Sequence, residues 1–214
     1  MKKIKVLNLY ACLGGNRYKW PSDLIEVTAV ELDPELIRLY KQRFPNDTVI
    51  QADAHQYLLD NFKSFDFIWS SPPCPTHSKA RFANTKATEV YPDMALYQEI
   101  ILLQSRAKCK WIIENVKPYY TPLIPATKKI GRHLYWANFK LPNITPRKSP
   151  AMGQTGGEIK ALSEFHDFDF YQYKGEQRRD KVARNLVDYE VGAAIFNAAR
   201  GMMQQAEQEQ TTLF

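Results

Sequence analysis

Phe65-Asp66-Phe67-Ile68-Trp69-Ser70-Ser71-Pro72-Pro73-Cys74-Pro75 decides how this chain is read. The apolar start, bounded by turn residues, reads as a buried strand, and consecutive prolines cannot continue its hydrogen-bond ladder. The chain must therefore leave the sheet here. Both proline φ angles are locked, so the following loop is stiff and holds Cys74 just beyond the strand's end. In an open α/β sheet, that edge is where ligands bind. Alone, the stretch suits two readings equally: a buried cysteine in a proline-rich turn, or a positioned reactive thiol.

The preceding chain repeats the pattern of strand and functional end. Lys5 to Tyr10 reads as a buried first strand ending at Ala11-Cys12-Leu13-Gly14-Gly15, a turn whose paired glycines allow close backbone approach to a ligand. Val27 to Leu32 is a second strand, closed by Asp33-Pro34, which caps and starts a helix over Glu35 to Phe44. Glu31 stands at its end, about twenty residues after the glycine turn, where nucleotide-type folds grip ribose hydroxyls. Thr48 to Asp53 is a third strand, followed by a helix from about Ala54 to Asn61. Strand ends bearing Gly-Gly, Glu31 and Asp53 can surround one adenosine, whose hydroxyls and amine want carboxylate acceptors. No P-loop is present, and the turn lacks a full Gly-x-Gly-x-x-Gly, which favours S-adenosylmethionine over NAD.

Beyond Cys74, Thr76 to Lys86 forms a polar loop long for its place, and its basic and hydroxyl side chains, Ser78, Lys79 and Arg81 among them, suit phosphate contacts. A helix from about Asp93 to Lys108 leads to a fifth strand, Trp111-Ile112-Ile113-Glu114-Asn115-Val116. Glu114 is a carboxyl inside an apolar run, where burial favours the neutral, proton-donating form. A thiolate from one strand end and a carboxylic acid on the next make a specific pair. Addition of a thiolate at C6 of a pyrimidine, with a proton donor at N3, turns C5 into a nucleophile that can attack a methyl group.

At this point the chain resembles the DNA cytosine-5 methyltransferase family. The matching stretches are Leu9 to Gly15, Glu31-Leu32-Asp33, Asp53, Ser71 to Ser78 and Glu114-Asn115-Val116, all between residues 5 and 117. The resemblance implies a Rossmann-like class I S-adenosylmethionine-dependent methyltransferase fold: an α/β, mostly parallel twisted sheet with helices on both faces, plus a small irregular recognition insert. It implies Cys74 as nucleophile, Glu114 as the cytosine N3 contact and Arg132 as a contact to cytosine O2 or a phosphate. It places the cofactor against Tyr10, Ala11, Leu13, Gly14, Gly15, Glu31, Leu32, Asp53 and Pro73, and implies flipping of the target base, because C5 and C6 cannot be reached in the stack. The chain departs from the family where Tyr10 replaces phenylalanine, Cys12 replaces glycine, and Pro75 and His77 replace glutamine and phenylalanine.

Beyond Val116 the likeness thins. Gly131 to Trp136 lies where the family has a strand with a Gln-x-Arg-x-Arg pattern, and Arg184-Asn185-Leu186-Val187-Asp188 before an apolar helix, Val191 to Met203, resembles the last family motif, which assigns Asn185 to the cofactor. The organisation expected is a catalytic core over 1–139, a recognition insert over 140–176, a core-completing segment over 177–206 and a tail over 207–214. Arg147 and Lys148 of the insert are DNA-contact candidates. The insert's length predicts a short or relaxed target site. Gln210-Thr211-Thr212-Leu213-Phe214 resembles the peptide that docks on bacterial DNA sliding clamps, with Gln210, Leu213 and Phe214 as its anchors.

Composition bounds these readings. The chain of 214 residues suits one domain with a small appendage, and its 44% hydrophobic and 24% charged content is ordinary for a globular protein. Cys12, Cys74 and Cys109 are too few and too separated for a disulfide framework or a metal site. Met1 to Cys12 imitates a signal peptide but is too short and is interrupted by Asn8; no segment approaches the ~20 apolar residues of a membrane span. A cytoplasmic monomer is expected. The net charge of +6 is uneven: residues 105–184 hold 16 basic and 7 acidic side chains, against 12 and 12 before them and 1 and 4 after. Such a field suits a polyanion, and the family resemblance implies double-stranded DNA as that partner. Rival classes are an RNA cytosine-5 methyltransferase, an amino-methyltransferase, which would need neither Cys74 nor Glu114, and a non-catalytic DNA- or clamp-binding module.

Overall fold

The computed structural model describes residues 2–79, 88–151 and 157–211. Arg81, Leu213 and Phe214 lie outside them, as does the side chain of Gln210. Seven strands build one sheet: β1 (Ile4–Leu9), β2 (Ile25–Glu31), β3 (Thr48–Gln51), β4 (Phe67–Ser70), β5 (Lys110–Val116), β6 (Lys128–Ile130) and β7 (His133–Ala137). Their order is β3-β2-β1-β4-β5-β7-β6. The first five pair in parallel, while β7 runs antiparallel to both β5 and β6. The order reverses between β1 and β4, so their C-terminal ends open a crevice, the ligand position of such sheets. This is the Rossmann-like class I arrangement expected from the sequence.

Alternation along the strands explains the two core layers. Val6, Phe67, Trp69 and Ile112 face one side, where they pack with Val191, Ile195 and Phe196 of helix α6 (Tyr189–Thr211). Their neighbours Leu7, Ile68 and Ile113 face the other side, against helix α2 (Ala54–Asn61) and helix α3 (Ala95–Arg106). Strands buried on both faces read as continuous apolar runs, as β4 does. Trp69 is fully buried, and truncating such a side chain costs about 3–5 kcal/mol. Helix α1 (Pro34–Arg43) starts where expected: the Asp33 carboxylate accepts from the Glu35 and Leu36 amides, and Pro34 occupies the first turn.

The later chain differs from the sequence expectation in two respects. Gly131 and Arg132 do not begin a strand; they form the turn of the β6–β7 hairpin, with Gly131 at φ +59°. Glycine tolerates that left-handed backbone, and the Cβ of any other residue would also meet Pro146 at 2.9 Å. Second, the stretch 140–176 is not wholly irregular. It carries helix α4 (Glu158–His166), and with helix α5 (Arg179–Asn185) it buries Leu162, Phe170 and Val182 against Leu13, Leu36 and Leu39. The segment expected to contact DNA thus also supports the loop after β1.

Candidate active site

The loop after β1 is held by backbone pairing and by one carboxylate. Ala11 N donates to Val30 O (3.0 Å) and Gly14 N to Ala11 O (2.8 Å). Tyr10 and Cys12 both take left-handed φ, +54° and +47°. Glu31 stabilises this strained turn: its Oε2 accepts from Cys12 N (2.8 Å), and its Oε1 accepts from Leu32 N (2.8 Å) and Asp33 N (3.0 Å). Cys12 therefore occupies a position where the family has glycine by accepting strain that a carboxylate helps to offset. Burial and the nearby Glu31 charge push its thiol pKa up. Beneath the loop, Tyr10 OH donates to Glu99 Oε1 (2.6 Å) and Ser70 Oγ donates to Glu99 Oε2 (2.6 Å), which ties the ends of β1 and β4 to α3.

A cavity of about 650 Å³ opens over these strand ends. Tyr10, Glu31, Leu32, Asp53 and Pro73, five of the residues expected at the cofactor, line it together. One oxygen of Asp53 caps α2 through Gln56 N (2.9 Å), which leaves its other oxygen for an amine. The cavity's two acidic strand ends, its aromatic edge at Tyr10 and its size suit an adenosine, so the donor set fits S-adenosylmethionine. Ala11 and Leu13 instead point into the core. Gly14 and Gly15 act by close approach: a Cβ would meet the Phe44 ring at 2.4 Å from the first and Val187 O at 2.6 Å from the second. Asn185, at the end of α5, is exposed and does not line the cavity. The opposite wall is Gly175, Glu176 and Gln177, which sequence reading missed. Tyr173 OH and Gln177 Nε2 anchor that wall by donating to Asp33 Oδ2 at 3.1 and 3.4 Å.

Pro73 also begins the second half of the site. Asn115 of β5 donates through Nδ2 to Pro72 O (3.0 Å) and accepts Val116 N at Oδ1 (2.9 Å). That clamp joins the proline loop to the strand carrying Glu114, whose register with β4 pairs Ser70 with Ile113. His77 N and Ser78 N both donate to Cys74 O (3.0 Å each), closing a turn at the thiol. Cys74 is half-buried, and burial, then the Glu114 charge, raises its pKa, while Arg132 and Lys181 act the other way. Glu114 is 6% exposed, with His133 Nε2 3.4 Å from Oε1. The structure thus brings Cys74, Glu114 and Arg132 into one electrostatic neighbourhood and adds Lys181 and His133. A lysine on a late helix gave no local signal; His133, beside Arg132 in the expected strand, was within reach of the pattern.

The DNA-contact candidates separate. Lys79 and Lys148 are exposed, and Ser78 is half-buried in a bridge to Pro118. Arg147 turns inward: its Nε donates to Asp188 Oδ1 (2.8 Å), its Nη1 to Phe165 O (2.9 Å), and its guanidinium lies 3.8 Å from the Tyr189 ring centroid. Its charge is committed inside the protein, which corrects its expected role at DNA. His77 is likewise an internal strut, buried with Nδ1 2.6 Å from Tyr120 OH. Among the described residues no group of three or more His, Cys, Asp or Glu is arranged to hold a metal, and no helix is long and apolar enough to cross a membrane.

A family model for C-5 cytosine-specific DNA methylases matches residues 4–123, more than half of the chain. Comparison with curated proteins gives no match. Solved structures give remote likenesses. A SAM-dependent methyltransferase from Agrobacterium tumefaciens is 16% identical, with a TM-score of 0.42 over 56% of this chain and 41% of that one. A DNMT2 mutant from Spodoptera frugiperda is 22% identical, with a TM-score of 0.37 over 54% and 36%. Dnmt2 from S. pombe is 18% identical, with a TM-score of 0.39 over 55% and 37%. The chain spans less than half the length of each of these three.

Proposed function

Because this chain belongs to the C-5 cytosine-specific DNA methylase family, whose cofactor is S-adenosylmethionine, we propose that it methylates C5 of cytosine in double-stranded DNA. The observation that supports the reading is the Asn115 clamp, which ties the proline loop that leads to Cys74 to the strand that carries Glu114, with Pro73 of that loop lining the same cavity as Tyr10, Glu31 and Asp53. A flipped cytosine entering there meets the Cys74 thiolate at C6 while the Glu114 carboxyl donates its proton to N3. The new C6–S bond and the N3 proton leave an enamine, with C5 nucleophilic. Bound S-adenosylmethionine supplies the methyl group. Loss of the C5 proton to water then expels the thiolate, and the N3 proton returns to Glu114, which restores the ring. Arg132 and Lys181 favour the thiolate, and Arg132 in the hairpin turn would meet cytosine O2 or a phosphate.

On the protein side, Glu31 and Asp53 would hold the adenosine, and Pro73 and Tyr10 would pack against it. Asn185, exposed and outside the cavity lining, takes no part in this assignment. Exposed Lys79 and Lys148 suit phosphate contacts, and the short length of the 140–176 segment suits a short target site. Tritiated-methyl transfer to duplex DNA, with cytosine-containing RNA as the second substrate, tests the class. Covalent trapping on 5-fluorocytosine DNA tests the mechanism: wild type should trap and Cys74→Ser should not. Trapping by Cys74→Ser overturns the assignment, and methyl transfer to RNA alone replaces the substrate.

A further inference from the structure

A second cavity, of about 1000 Å³, opens at the edge of the sheet opposite Cys74, where β1, β4 and β5 begin. Seven Lys or Arg side chains line it, drawn from four stretches: the residues before β1, the turn before β4, the start of β5 with its approach, and α6. A single carboxylate accompanies them, Asp66, and its Oδ2 is already engaged by Lys5 N (2.8 Å). Among the described residues none of the seven enters a salt bridge. Arg200 is the most telling, because its Nε is buried without a hydrogen-bond partner at this wall. Burying a guanidinium donor unpaired is costly, and gathering like charges in one concavity adds repulsion that a bound anion would relieve. The catalytic reading uses none of these residues.

The cavity is not merely basic. Phe62 and Phe65, with Ile4, Leu24 and Met203, give it an apolar floor, and Lys63 Nζ lies 5.6 Å from the Phe62 ring centroid. A ligand fitted to it needs several negative charges at one end and a flat apolar body at the other. Duplex DNA meets that description poorly, because the charge sits in one concavity rather than along a stripe. We propose that this cavity binds a free nucleoside polyphosphate, its phosphates among Arg106, Lys108 and Arg200 and its base against Phe62 and Phe65. The site is separate from the cofactor cavity and does not depend on which nucleic acid is methylated. One element touches both ends: α6 brings Arg200 to this cavity and, at Gly192, lies so close to Asn16 after the cofactor loop that a Cβ would meet Asn16 O at 2.4 Å.

The test is fluorescence titration of the full chain with N-methylanthraniloyl-ATP at physiological ionic strength, with excess S-adenosylmethionine present. Saturable binding is expected, displaced by ATP and by inorganic tripolyphosphate but not by adenosine. The double variant Arg106→Glu/Lys108→Glu should weaken binding by about tenfold or more, with methyl transfer unchanged, and Arg200→Met should weaken it in the same direction. The proposal fails if no saturable binding appears up to about 1 mM, or if the double variant binds undiminished. It also fails if S-adenosylmethionine displaces the probe, which would place the nucleotide in the cofactor cavity. Equal displacement by a short DNA duplex at matched phosphate concentration overturns it too, marking a general polyanion surface.

Discussion

His133 Nε2 lies 3.4 Å from Glu114 Oε1, on a diagonal between β7 and β5, in whose register Glu114 faces Tyr135 and His133 faces Val116. Burial lowers the His133 pKa, with Arg132 adding to that effect and Glu114 opposing it. The imidazole is therefore neutral at pH 7. Glu114→Gln should cut turnover by about 10²–10⁴-fold with cofactor affinity retained. Lowering the pH below the usual histidine range charges His133 and sets a cation 3.4 Å from Glu114. Wild type should thus show an acid limb in kcat/KM that His133→Gln lacks; identical limbs in both enzymes would refute the coupling.

The Cys74 thiol feels opposing fields, raised by burial and Glu114 and lowered by Arg132 and Lys181. Lys181→Met removes one of the cations without touching the loop. The pH midpoint of iodoacetamide alkylation at Cys74, followed by peptide mass spectrometry, should move upward in that variant and downward in Glu114→Gln. The same shifts at Cys109, remote from these charges, would signal a general structural change instead.

Glu99 anchors the strand ends from below: its buried carboxylate accepts from Tyr10 OH and Ser70 Oγ and contacts His55 Nδ1 at 3.1 Å. Replacing it with leucine leaves the buried Ser70 hydroxyl and the part-buried Tyr10 hydroxyl without their acceptor. At roughly 1–3 kcal/mol for each orphaned group, Glu99→Leu should lose about 2–6 kcal/mol in urea denaturation. Tyr10→Phe, which deletes one donor and keeps the ring, should lose only about 1 kcal/mol. A Glu99→Leu variant as stable as wild type would show that the network carries no net energy.

Acid should weaken the fold through His166, which is buried with its Nδ1 unpartnered and its pKa pushed down to about 4. Burial is the main cause, followed by the positive charges of Arg147 and Arg43, with Asp188 opposing them. The unfolded chain, with an ordinary pKa near 6.5, takes up this proton first as the pH falls. The contribution is complete above about pH 6.5 and is lost between about 6.5 and 4, by about 3 kcal/mol in all. Stability measured from pH 7 to 4.5 should fall less steeply in His166→Gln than in wild type.

The parallel half of the molecule was legible because its signals are local. Pro72-Pro73 follows the end of β4, Asp33-Pro34 starts α1, and Glu31, Asp53 and Cys74 stand at or just beyond strand ends, where an open α/β sheet binds its ligands. The hairpin of β6 and β7 was not separable from a single strand, since Gly131 looks like a strand boundary until its backbone angle is known. Arg147 shows a different limit. An arginine among prolines reads as a nucleic-acid contact, and nothing nearby in sequence reveals that Asp188 holds it. The wall at Gly175 to Gln177 depends on Asp33, and the basic cavity gathers lysines and arginines that a running count of charge scatters over separate segments.

Gly15 against Val187 and Gln177 against Asp33 also set an order of assembly. The cofactor cavity has one wall from the first third of the chain and the other from residues 175–177. Contacts across such sequence separation form late, because the intervening loop must be closed before they repay its entropy. During synthesis, strands β1 to β5 can therefore pair while the pocket still lacks its far side. The protein gains a place for its cofactor only as its last helices dock.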